Sequence, residues 1–400
     1  MKQPDRRGRY ERPVRLVPVG VALAGTFAVA VAVAAGTLWL GLDLLDVHGI
    51  KRERQIDSTV LFDLVKLSFA VVAGLGGLVA LVVAYRKQRT EENAALREDT
   101  KLHSDRFTAA VAQLGDASPA VQLGGVHALA GLADDAPTRQ LRQTCIDVLC
   151  AYLRLPYNPD PGADPAEGQD LAEHDRARAA YRALREVRHT VIRTIGNHLR
   201  DDATVSWQGH DLDFTDVVFD GGDFSHAVFN ANQVSFRDAR FEGGTVGFSN
   251  ARFVGGTVDF SNARFVGGRV DFSNARFGGG IVAFSRARFE SGRVDFSRAR
   301  FESGTVGFSF ARFVGGRVDF SNARFKGGIV DFFRAGFEGG RVDFSNTRFE
   351  SGTVDFHGAR FEDGTVDFRD ARFEDGTVDF RVAHGRRPKG LPDGLGAHLS

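Results

Sequence analysis

The sequence predicts a four-sided β-solenoid, preceded by an all-α helical segment and an N-terminal two-helix transmembrane hairpin. Three observations carry this fold class. Phenylalanines recur from 214 onward, first five apart and then alternately five and seven apart. Two long uncharged runs lie near the N-terminus. Between these regions, apolar residues recur at helical spacing.

Residues 1–15 are strongly basic and form a cytoplasmic N-terminus by the positive-inside rule. Residues 16–85 form the predicted hairpin. Leu16 to Leu42 holds 27 residues without a charge, and Leu67 to Tyr85 holds 19. At about 1.5 Å per helical residue both lengths suit a membrane span. Asp63 and Lys66 fall just before the second run, where their spacing lets them neutralise each other at the interface; an intramembrane charge relay is the weaker reading. Arg86, Lys87 and Arg89 follow, so the C-terminal side also faces the cytoplasm, which implies a multi-pass protein of the plasma membrane. A cleaved signal peptide is the alternative for the first run and leaves that orientation unchanged.

Residues 86–157 read as short helices of α-solenoid type, with "DASP" and "DDAPT" as breaks. Cys145 and Cys150, the two cysteines, point about 140° apart on a helix and serve as small apolar fillers. Residues 158–172 form a linker by composition. Residues 173–203 form a basic helix with an apolar stripe of Tyr181, Leu184, Val187, Val191, Ile192 and Ile195. Its arginines read as a solvated face rather than a grip on nucleic acid.

Residues 204–381 carry the repeat. Five-residue spacing is neither helical nor strand-like, but it suits a coil whose every side is one short extended segment and one corner. Phe214, Phe219, Phe224, Phe229, Phe260, Phe265, Phe296, Phe301, Phe344 and Phe349 are core positions, each with a smaller inward residue two before it. Gly-Gly and Ser-Gly pairs supply wider corners at the seven-residue steps. Arginine three residues before Phe recurs every 24 residues, at 269, 293, 317 and 341, with Thr or Ile at the intervening positions. One turn is therefore two twelve-residue units, and about seven turns give a rod roughly 34 Å tall. Residues 382–400 contain Gly and Pro and are expected to form a loose tail.

Units such as "VDFSN" and "ARFVG" resemble those of pentapeptide-repeat proteins over about 210–381. The resemblance implies a right-handed quadrilateral β-helix. With the hairpin and the helical segment, the chain is similar to membrane-anchored actinobacterial members. Arginine in the "ARF" units departs from the usual acidic or amide position.

No motif points to catalysis. There is no GxxxxGK[ST], no HExxH and no zinc-type cluster among the 11 His and 2 Cys. The glycine pairs recur with the wrong period for calcium-binding nonapeptides. No catalytic residue, cofactor or metal ion is expected. Basic and acidic residues are 51 each, so no whole-chain field attracts nucleic acid. Within the repeat, Asp precedes one kind of Phe and Arg the other, which predicts adjacent sides of opposite charge. Residues 241–349 hold 16 bases and 10 acids, and residues 350–379 hold three bases and nine acids. Ile281, Phe310, Ile329 and Phe333 fall on the more variable series and form a candidate partner face, with drift or corner packing as the plainer account. The expected function is a membrane-anchored, non-catalytic interaction scaffold that meets the lipid bilayer, an unidentified protein and possible further copies of itself. The alternative, implied by the resemblance, is a DNA-mimic inhibitor of DNA gyrase.

Overall fold

The computed structural model describes nine helical positions between 25 and 43, and residues 58–391 apart from 159, 166 and 169. The chain divides into two compact units, Met1–Lys101 and Leu102–Ser400. The basic N-terminus at 1–15 and most of the first apolar run lie outside the described residues. Among the described residues, one segment, Val65–Gln88 in the helix α1 (Ser58–Leu114), is long and apolar enough to cross a membrane. The two-span hairpin thus reduces here to one candidate helix. Asp63 and Lys66 pair at 3.3 Å with both side chains exposed.

In the second unit, α2 (Pro119–Asp134), α3 (Arg139–Arg154) and α4 (Leu171–His198) follow the end of α1. Thr138 caps α3 by accepting from the Leu141 amide. Asp170 does the same for α4 through Ala172, so α4 starts two residues before the basic helix was expected to begin. Cys145 and Cys150 are buried and unpaired, and burial pushes their thiols up to about 11 and about 12. They pack in one core with Val126, Leu129, Val187, Val191 and Ile195. That core continues into the solenoid through Trp207, whose indole donates to Asp134 at 2.8 Å.

The arginines of α4 are not simply a solvated face. Arg188 is buried and donates to the carbonyls of Leu153 and Val218 at 2.8 and 2.9 Å. α4 lies against the first turn, and the two carbonyls satisfy donors that burial removes from water. The helices therefore cap the open start of the solenoid, where unpaired strand edges would otherwise be exposed.

Short parallel strands run from Leu212–Asp213 to His384–Gly385. Register advances by 24 residues per turn, as in Arg264↔Arg288↔Arg312, after a first step of 22 at Leu212↔Val234. The sides are numbered in chain order. Side I carries Thr257–Asp259 and its equivalents, side II Arg264–Phe265, side III Arg269–Asp271 and side IV Arg252–Phe253. From the third turn to the sixth, the strands of side IV run through the corner into side I as eight-residue segments such as Arg276–Ala283, with register shifts at the glycines.

Each side sends one Phe and one small residue inward. All ten core phenylalanines named above are buried. Rings 24 residues apart stack face to face, and the columns of sides I and III meet edge to face, as Phe284 does with Phe296 at 5.7 Å and 89°. Thr347 takes one small-residue position and satisfies its buried hydroxyl on the Phe320 carbonyl at 2.9 Å. At a wide corner, Gly316 has φ +68°, and a Cβ there would lie 2.6 Å from the Gly292 carbonyl oxygen. Only glycine fits where turns stack this closely.

The tail is ordered further than its composition suggests. His384–Gly385 pairs with Arg360–Phe361, and Lys389 bridges Asp367. The Phe368 amide donates to the Lys389 carbonyl at 2.7 Å. Backbone pairing across the last turn outweighs the local preference for loop. Residues 392–400 lie outside the described residues.

Candidate interaction surfaces

The corner from side I to side II places its second residue at positive φ on most turns. Asn262 suits this, because a short polar side chain tolerates the left-handed region. Phe310 occupies the same position at φ +57°, where a bulky residue is strained. Its ring is 43% exposed and meets Phe333 edge-on at 5.6 Å. Phe333 stacks on His357 at 5.7 Å, and the Arg334 guanidinium sits 5.2 Å from its ring. These two phenylalanines are outside the core columns. Ile281 and Ile329 are also exposed, but they open the strands of side I, two turns apart with Thr305 between them. The structure unites Phe310 with Phe333 and leaves the isoleucines at the other end of that side.

Charge is not distributed as alternating sides. On side III, arginine and aspartate share one strand: Arg293 reaches Asp295 at 2.9 Å and Asp319 of the next turn at 3.1 Å. The same aspartates accept the amide two residues on, as Asp295 does from Ser297 at 3.0 Å, which shapes the corner. At Asp343 burial raises the pKa, but the Ser345 side chain and amide and the Arg341 charge outweigh it and hold the carboxyl below its usual range. On side II, glutamates beyond the Phe pair with arginines, Arg312 holding Glu338 through two contacts of 2.7 and 2.6 Å. On side IV, Arg252 of the second turn pairs with Asp201 at 2.6 Å, and the compensation stops there. Arg276, Arg300, Arg324, Arg348 and Arg372 continue the column in parallel register and, among the described residues, form no ion pair. Spacing before Phe was legible in the sequence; which arginines find a carboxylate depends on how each wide corner turns.

A polar node joins the helical cap to the first turn. Asp220 accepts from Tyr157 and Tyr181 at 2.7 Å each and from Arg185 at 3.0 Å, and lies 2.9 Å from His189 Nε2. Burial pushes its pKa up, yet the hydrogen bonds from His189, Tyr181 and Tyr157 together dominate and hold the carboxyl far below its ordinary value. Burial and the bond to Asp220 raise Tyr181 to about 12. A cavity of about 610 Å³ lies beside this node, lined also by Arg178 and Arg182. Every group of the node is engaged in docking, so its evident work is structural. The sequence reading missed it because its members are scattered over Tyr157 to Asp220.

Among the described residues no group of three or more metal-ligating side chains occurs. The family model for pentapeptide repeats matches residues 243–288 and 337–384, with nine copies. No curated protein and no solved structure matches the chain. The match is to a repeat family and not to a catalytic one. The four-sided parallel coil, with its phenylalanine columns and 24-residue turn, is thus a β-solenoid that carries pentapeptide repeats over the two matched stretches.

Proposed function

We propose that this chain is a membrane-anchored, non-catalytic scaffold that presents its pentapeptide-repeat solenoid to the cytoplasm and captures a protein partner at the Phe310–Phe333 corner. The observation that carries the reading is Phe310 itself. A strained, exposed aromatic stands where the corner's own chemistry favours asparagine, and a second ring is packed on it. Aromatic anchors of this kind are the residues interfaces enrich. Anchoring rests on the apolar Val65–Gln88 and on the basic residues that follow it. The DNA-mimic alternative has less support, because a side with five unpaired arginines is the reverse of a phosphate surface.

The test replaces each aromatic by the residue found at the same corner on another turn, Phe310→Asn with Phe333→Ser. Affinity capture from native membranes is compared with wild type. A partner present with wild type and lost with the double variant is expected, with the unfolding midpoint not lowered. Identical partners in both samples, DNA gyrase subunits among them, would overturn this face.

A further inference from the structure

We propose that side IV is a binding groove for an unbranched phosphate polymer of the inorganic polyphosphate type, independent of both the anchor and the aromatic corner. Five arginines, from Arg276 to Arg372, repeat once per turn. At about 4.8 Å per rung they span roughly 19 Å in a straight column. Like charges directly opposed in a sheet are destabilising. Sides II and III cancel theirs with built carboxylates, whereas on side IV only Arg252, one turn before these five, has a carboxylate partner among the described residues, Asp201. Glu302, Glu350 and Glu374 follow the Phe of the same side, but among the described residues they form no ion pair with the column. The repulsion is thus left for an external anion to relieve.

The column lies in a concavity. One groove of about 620 Å³ is lined by arginines and by Asn250, Asn274 and Asn322, and a second of about 560 Å³ continues from Asn322 and Arg324 to Arg372. Asparagine amides add donors suited to phosphate oxygens. Asp370 is the one acid in the lining, at the far end. A straight groove one arginine wide suits a linear chain better than a flat lipid surface. It also suits a chain with nothing but phosphates to recognise. Single-stranded nucleic acid binders add aromatic rings for base stacking. Among the described residues, the one exposed large apolar side chain on side IV is Val254.

The experiment measures binding of fluorescent inorganic polyphosphate to the full chain in non-ionic detergent, across a salt series. The comparison is Arg300→Gln/Arg324→Gln against Arg264→Gln/Arg312→Gln, the latter on the carboxylate-paired side II. Wild type and the side II variant are expected to bind, with an unfolding midpoint raised by the ligand. The side IV variant should bind several-fold more weakly, its log–log salt slope reduced by about 0.7 per arginine removed. A mixed-sequence single-stranded oligonucleotide and phosphatidylglycerol vesicles are the competing arms. Equal binding by the side IV variant and wild type, no binding at low salt, or preference for either competitor would overturn the proposal.

Discussion

Phe296 shows what one repeat position contributes. Its ring stacks on Phe272 and Phe320 at 4.8 Å each and meets Phe284 and Phe308 edge-on at 5.7 and 6.1 Å. Truncation would leave a cavity closed above and below by stacked turns that cannot easily collapse. Phe296→Ala is expected to cost about 3–5 kcal/mol in denaturant unfolding. A loss under about 1 kcal/mol would mean that the columns repack freely. Such positions were legible in the sequence because each is written twelve times over. Phe310 was legible as an exception to that pattern, but its strain was not, since φ belongs to the corner rather than to the residue. The second use of the repeat aspartates, as acceptors for the amide two residues on, also became visible only with the corner geometry.

Docking of α4 is an element-scale property that hangs on Asp220. Because its folded-state pKa lies below the ordinary carboxylate value of about 3.9, its contribution is present above that pH and is lost as pH falls below it. Thermal unfolding of the full chain should therefore show a midpoint that drops as pH falls from 4 downward. Asp220→Asn should lower the midpoint at neutral pH and flatten that acid branch. An unchanged acid branch in the variant would assign it to other carboxylates. The helices themselves were readable from their apolar spacing and from breaks such as the one ending at Thr138, whereas Asp170, the cap of α4, fell inside the stretch read as linker. Arg188 was not readable as buried, because in an arginine-rich helix nothing local separates the one that meets carbonyls from those that meet water.

At the scale of the molecule, the two ends of the solenoid differ. The first turn is covered by α2–α4, while the last is closed by a short segment that leaves Phe373 only partly buried. Repeat stacks open from their least-covered end. Hydrogen exchange should be fastest beyond Phe373 and slowest near Phe296; earliest exchange in the turn beginning at Leu212 would show that the helices do not protect it. The twenty-four-residue turn was legible from alternating surface residues, since the core reads the same every twelve. That difference sets a rule for how such a chain can change length. Losing or gaining one twelve-residue unit would keep every ring buried, yet rotate all later turns by half a revolution. Arginine–aspartate strands would then stack on threonine–isoleucine strands, and the unpaired arginine column would continue onto the carboxylate-paired side. Only changes by whole turns preserve the pattern of faces, so the core tolerates an editing error that the surface does not.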